Sequence, residues 1–194
     1  MQFPDIHVQD KGHCLILGKS GTGKTTLLHL LAGLLPLQTG EIKIDDQWVK
    51  SLGASQLDRF RGKKIGIVFQ KSIFIEAISV MENLAWAQHL AGNPVDHGRI
   101  LLLLKRLGVE HQAHRLPYRL SIGEQQRVSI ARALVNKPSV ILADEPTSAL
   151  DDQNADAVIR LLEEQADLES AALILVTHDA RIKSHFEQQI ILAA

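Results

Sequence analysis

Residues 18 to 26 read Gly18-Lys19-Ser20-Gly21-Thr22-Gly23-Lys24-Thr25-Thr26, and residues of these types at this spacing can wrap a polyphosphate. Glycines let successive backbone amides curl round the anion, and a helix opening directly beyond them turns its positive end toward the same charge. Lys24 can reach the terminal phosphates, and the Thr25 hydroxyl is placed for magnesium. The flanks supply the context such a loop needs: the apolar run at 14–17 reads as a strand and the run at 27–32 as a helix.

A second group of residues answers to the same chemistry. Val140-Ile141-Leu142-Ala143-Asp144-Glu145 is an apolar strand ending in two carboxylates. A buried parallel strand delivers Asp144 to the carboxyl edge of its sheet, where the phosphate loop also lies, so magnesium held by Thr25 gains an acidic partner. Glu145, one residue further, is placed to orient and deprotonate a water attacking the terminal phosphate. Gln70 and His178 follow two other strands, at 65–69 and 173–177. A neutral amide contacts magnesium or the attacking water without competing for protons, and an imidazole donates to the transferring phosphoryl group. His7, His13, His29, His89, His97, His111, His114 and His185 hold no such position and read as ordinary. No H-E-x-x-H or Cys-His spacing suggests zinc.

The elements that must position these groups are legible as alternating short apolar runs and longer helical patterns, the mark of an α/β fold with a mostly parallel sheet covered on both faces. Strands are expected at 6–8, 14–17, 41–44, 65–69, 140–143, 173–177 and 189–192, the one at 41–44 in a peripheral antiparallel part. Between 69 and 140 the strand signal disappears, and helical patterns run over 79–91, 97–107 and 122–135, broken at Gly92-Asn93-Pro94 and Gly108. The expected organisation is one domain over 1–194: an α/β core from 1–74 and 137–194, and an inserted helical subdomain over 75–136. The leucines at 101–104 read as core or partner-facing packing.

With 194 residues the chain can bury one substantial core, with room for a satellite subdomain but not for two full domains and linkers. Twenty-one basic against 22 acidic side chains give a formal charge of -1, so no global bias toward nucleic acid or anionic lipid exists, and no direct nucleic-acid partner is expected. The single cysteine, Cys14, falls in an apolar strand, reads as a small core residue and excludes an internal disulfide. No apolar run is long enough to span a bilayer, and the first residues lack the basic and apolar parts of a signal peptide, so a cytoplasmic location is expected.

Leu120-Ser121-Ile122-Gly123-Glu124-Gln125-Gln126-Arg127 makes the reading specific. It resembles the signature segment of the ATP-binding cassette family, the nucleotide-binding domains of membrane transporters. The other family elements follow in order: the phosphate loop, Gln70, this segment, Asp144 and Glu145, then Pro146-Thr147-Ser148-Ala149-Leu150-Asp151, and His178. The resemblance implies a P-loop NTPase fold with a RecA-like, mostly parallel core, a small peripheral antiparallel β part and the inserted helices. It implies an ATPase that uses ATP and Mg2+. It also implies a head-to-tail homodimer or pseudo-homodimer in which each ATP is clamped between the loop at 18–26 of one copy and Ser121, Gly123 and Glu124 of the other. The helix starting after Ser121 and Gly123 would then add its positive end, and Asp151 would couple the two sites. A transmembrane permease subunit, gripped by the helical part and by 71–77, is the implied partner, and it would hold the chain at the cytoplasmic face of the membrane.

The sequence departs from the family pattern in places: Ile122 stands where glycine is usual, Glu124 replaces the common glutamine, a change the family often accepts, and the aromatic that ordinarily stacks on adenine has no clear counterpart, since Phe3 reads as packing. The segments 57–61, 65–70 and 79–84 are similar to the branch that includes lipoprotein-releasing and macrolide-export-type ATPases. The alternatives are a soluble cassette ATPase of DNA repair or translation, disfavoured by the lack of a coiled-coil insertion or second cassette, and a nucleotide-gated regulatory or structural subunit with negligible hydrolysis.

Overall fold

Strands that are apolar on both sides need cover on both sides, and the central sheet follows from that requirement. The computed structural model describes residues 3–148 and 152–192, with 152–154 as backbone only. Along the chain come β1 (His13–Gly18), α1 (Lys24–Leu31), β2 (Lys43–Ile44), β3 (Gln47–Trp48), α2 (Ala54–Lys64), β4 (Ile65–Val68), α3 (Val80–Leu90), α4 (His97–Arg106), α5 (Ile122–Leu134), β5 (Val140–Asp144), α6 (Asp152–Glu169), β6 (Ala172–Thr177) and β7 (Gln188–Leu192). The five longer strands form one parallel sheet in the order β4-β5-β6-β1-β7, and β2 and β3 form a separate antiparallel hairpin.

Successive residues of each central strand serve opposite faces. Leu15, Leu17, Ile141, Ala143, Leu173 and Leu175 join one core with side chains of α3, α4, α5 and α6. Cys14, Ile16, Val140, Leu142, Ile174 and Val176 join a second core with Leu27 and Leu28 of α1. Each Val, Leu or Ile side chain among them contributes about 1.5–3 kcal/mol when fully buried. Burial pushes the Cys14 thiol up to about 11, which leaves it a core filler. Among the leucines at 101–104, Leu103 and Leu104 are fully buried and Leu102 faces solvent.

Three helices begin where the sequence offers side-chain caps. Ser79 and Glu82 form a reciprocal capping box at α3, Ser121 and Glu124 do the same at α5, and Asp96 accepts from the Arg99 amide at α4. Beyond α3 and α4 the chain turns through Gly92 (φ 73°) and Gly108 (φ 70°). Glu169 at the end of α6 pairs with Arg99 at 2.6 Å and Arg106 at 3.1 Å, joining α4 to the helix that packs on β6.

Some expectations needed correction. Residues 6–8 form no strand: Phe3, Ile6 and Val8 pack on the second core without a ladder partner, so Phe3 does serve packing. The strand expected at 41–44 shortens to 43–44 and acquires a partner at 47–48, because Asp45 takes a left-handed φ of 51° in a two-residue turn. Helix α2 carries charge at many positions and buries no side chain fully, which is why it left no periodic signal.

The irregular stretch after β4 is held from within. Asn83, buried on α3, accepts from the Ile75 amide at 2.8 Å and donates to the carbonyls of Ile75, Ile78 and Ser79. Arg132 of α5 donates to the Ile73 carbonyl and lies over the Phe74 ring. Asn83→Ala strands the Ile75 amide and is expected to cost about 1–3 kcal/mol. Urea unfolding should show this as a lower midpoint with unchanged slope, and an unchanged midpoint would refute the anchoring role.

Candidate functional site

The strand register assembles the site. Leu17 lies opposite Thr177, Asp144 opposite Val176 and Val68 opposite Ala143, so β1, β4, β5 and β6 end together at one edge of the sheet. Gly18, Gln70, Glu145 and His178 lie at or just beyond those ends, the place where open parallel sheets bind ligands.

The phosphate loop closes on itself. The Thr22 hydroxyl and amide both donate to the Lys19 carbonyl, at 2.9 and 3.3 Å. A Cβ at Gly18 would stand 2.4 Å from the Thr22 hydroxyl, which excludes any larger residue there without a shift. Gly23 is the left-handed N-cap of α1 (φ 88°), and no side chain caps the first amides of that helix. Lys19, Ser20, Gly21, Thr25 and Thr26 are exposed, whereas Lys24 is buried. Its ammonium donates to the carbonyls of Gly18 (2.8 Å) and Lys19 (3.1 Å) and lies 3.4 Å from Glu145 Oε1.

The two carboxylates facing the loop differ in character. Thr25 Oγ1 donates to Asp144 Oδ1 at 3.2 Å. Burial pushes the Asp144 carboxyl up, and the neighbouring Glu145 charge adds to this against the pull of Thr25. Burial acts on Glu145 too, but hydrogen bonds from His178 and Thr177 outweigh it and hold this carboxyl below its ordinary range. The Thr177 hydroxyl donates to Oε2 at 2.7 Å, and His178 Nδ1 sits 2.9 Å from Oε1. Glu145 itself adopts a left-handed φ of 46°, with its amide donating to the Val176 carbonyl at 2.8 Å. An ionised carboxylate can accept a proton, and the donors that depress its pKa also make it a weaker base. Thr25 and Asp144 present hard oxygen donors side by side, and a divalent cation would offset the cost of burying Asp144, so the pair fits magnesium. Gln70 is exposed, and its amide donates to the Ser148 hydroxyl at 3.3 Å.

Ser121, Gly123 and Glu124 lie elsewhere in the fold. Helix α5 starts between Ser121 and Gly123 rather than after both: Ser121 is its N-cap, and Gly123 lies in its exposed first turn. The Glu124 carboxylate accepts from the Ser121 hydroxyl (2.7 Å), the Ser121 amide (2.8 Å) and the Gln112 amide, and these donors hold it at about 2. Glu124 therefore shapes the helix start rather than offering a free carboxylate. Ile122 is 71% exposed. Among the described residues no hydrogen bond or ion pair joins Ser121 or Gly123 to the loop at 18–26. Asp151 lies outside the described residues. Among the described residues no group of three or more His, Cys, Asp or Glu side chains could hold a metal ion, and no helix is long and apolar enough to cross a membrane.

Sequence reasoning missed Thr177 and Ser148. The one signal for Thr177 was a hydroxyl closing an apolar strand directly before His178.

Comparison with known proteins gives a consistent picture. Residues 4–148 match the family model for the ABC transporter. The chain is 39% identical to the lipoprotein-releasing system ATP-binding protein LolD of Idiomarina loihiensis, over 97% of this chain and 83% of that one. It is similar, with a TM-score of 0.86 and 33% identity over 96% of this chain and 83% of the other, to the ATP-binding cassette MJ0796, solved as a dimer in a post-hydrolysis state bound to ADP and Pi. A TM-score of 0.85 and 29% identity, over 96% of this chain and 75% of the other, relate it to CbiO1 of Clostridium perfringens, part of the ABC transporter complex CbiONQ.

A carboxyl whose folded pKa is depressed adds stability above its unfolded value and loses it as pH falls through the folded one. Thr177→Val removes a donor to ionised Glu145, so it is expected to cost about 1 kcal/mol near neutral pH and progressively less in acid. Melting curves taken from neutral into acid check this, and a stability difference independent of pH would contradict it.

Proposed function

The chain belongs to the ABC transporter family, and on that premise we propose that it is the Mg2+-dependent, ATP-hydrolysing subunit of a membrane transporter complex. The observation that carries this reading is the Glu145 carboxylate, kept ionised by Thr177 and His178 and set 3.4 Å from the Lys24 ammonium at the mouth of the phosphate loop.

In this reading the amides of residues 18–26 cradle the triphosphate, and Lys24 exchanges the carbonyls of Gly18 and Lys19 for phosphate oxygens. Thr25 and Asp144 would hold magnesium, and Gln70 is the neutral amide available as a further ligand. The metal, when bound, neutralises charge on the phosphates. Glu145 takes a proton from the attacking water. With Nδ1 turned to Glu145, His178 has Nε2 available for a phosphoryl oxygen.

Ser121 and Gly123 act across a dimer interface, with Asp151 coupling the two sites. The exposed start of α5, its lack of bonds to the loop of its own chain and the dimeric state of the MJ0796 relative all support this. Residues 1–74 with 137–194 serve as the nucleotide-binding part and 75–136 as the coupling part. Exposed Ile73 and Ile75, with Trp86 and Leu90 one turn apart on α3, offer an apolar surface to a transmembrane permease, which would keep the chain at the cytoplasmic membrane face. The lipoprotein-releasing relative supports placement in that branch.

Phosphate release should require Mg2+, and Glu145→Gln should slow it by about 100-fold or more while ATP still binds. Equal, negligible release from both proteins, each binding ATP, would overturn the hydrolytic reading in favour of a nucleotide-gated subunit.

A further inference from the structure

His178 begins a segment that is fastened at both ends. At its start, Thr177 and His178 both bond Glu145, and the Asp179 amide donates to the Thr177 hydroxyl at 3.0 Å. Asp179 also caps the 3-10 turn Ala180–His185 by accepting from the Arg181 amide. Ile182 and Phe186 bury that turn in the larger core. At its far end stands His185, whose side chain is only 14% exposed.

Both nitrogens of the His185 ring face carboxylates of α6. Nε2 lies 2.7 Å from Asp156 Oδ1 and Nδ1 lies 3.1 Å from Glu163 Oε2. A neutral imidazole has one N–H and can donate to only one of them; the imidazolium donates to both. The charged groups around the ring are Asp156 and Glu163, together with Arg160, which engages the other oxygen of Asp156 at 2.7 Å. Its own segment supplies Arg181, chelated by Asp179, and the exposed Lys183 and Glu187.

Helix α6 starts a few residues beyond Glu145, and the turn at 180–185 starts two residues beyond His178. The two segments thus leave the same carboxylate–histidine pair and meet again at His185. We propose that His185 is a positioning residue which, through its contacts with Asp156 and Glu163, pins the His178 segment to α6 and thereby holds His178 against Glu145. The catalytic part of this inference rests on the hydrolytic reading above; the coupling of the two histidines does not.

Histidine ring NMR on the full chain, compared between wild type and variants, tests the coupling without reference to turnover. His185→Gln should shift the His178 ring resonances, and His185→Arg, whose guanidinium can reach both carboxylates, should return them toward their wild-type positions. His178 resonances unmoved in His185→Gln would overturn the proposal. In phosphate-release assays His185→Gln should lower kcat on the order of tenfold, with KM for ATP unchanged. His185→Arg should restore kcat. Wild-type kcat in His185→Gln would show that the clamp is only structural. Should wild type hydrolyse no ATP, the hydrolytic reading fails, and the NMR comparison still decides the coupling.

Discussion

Everything at the sheet edge turns on keeping one carboxylate ionised in a place where burial opposes its charge. Glu145 is 8% exposed and sits next to a second acid, and both features disfavour its charge. Donors from three elements offset this: Lys24 at the start of α1, Thr177 at the end of β6 and His178 just past it. Those donors converge only because β1, β5 and β6 are adjacent, parallel and in a register that ends them together. The alternating burial of the strand residues in two cores enforces that register, since a slip of one residue would exchange the faces.

The helical part obeys a different constraint. Its helices start at capped serines and an aspartate, and Asn83 and Arg132 tie the stretch behind Gln70 to α3 and α5. The start of α5 meanwhile faces outward, with Ser121 fixed by Glu124 and with Ile122 and Gly123 exposed. One chain thus holds both a phosphate loop and a helix N-terminus of the kind that binds anions, with no bond between them.

Much of this was legible in the sequence, for physical reasons that can be named. The loop at 18–26 is readable because a Cβ at Gly18 would meet the Thr22 hydroxyl and because Gly21 and Gly23 take left-handed φ. The central strands are readable because two-sided burial forces uninterrupted apolar runs. What escaped notice depends on contacts distant in sequence. Thr177 acquires its role from Glu145, 32 residues earlier. His185, one of nine histidines, becomes distinctive only when α6 brings two carboxylates to its ring. Residues 6–8 have strand-like composition but no partner to pair with, and α2 is a helix with hardly any apolar stripe. Glu124 looked like a ligand-facing residue of the signature segment, yet a capping box spends its carboxylate on the neighbouring backbone.

The central claim is that an ATP site is completed by the Ser121 segment of a second copy. Mixing two inactive variants, Lys24→Ala with an intact Ser121 segment and Ser121→Arg with an intact phosphate loop, tests it most directly. Heterodimers contain one whole composite site, so the mixture should recover phosphate release that neither variant shows alone. A mixture no more active than the sum of its parts, or a Ser121→Arg protein that hydrolyses ATP normally by itself, would contradict the shared site.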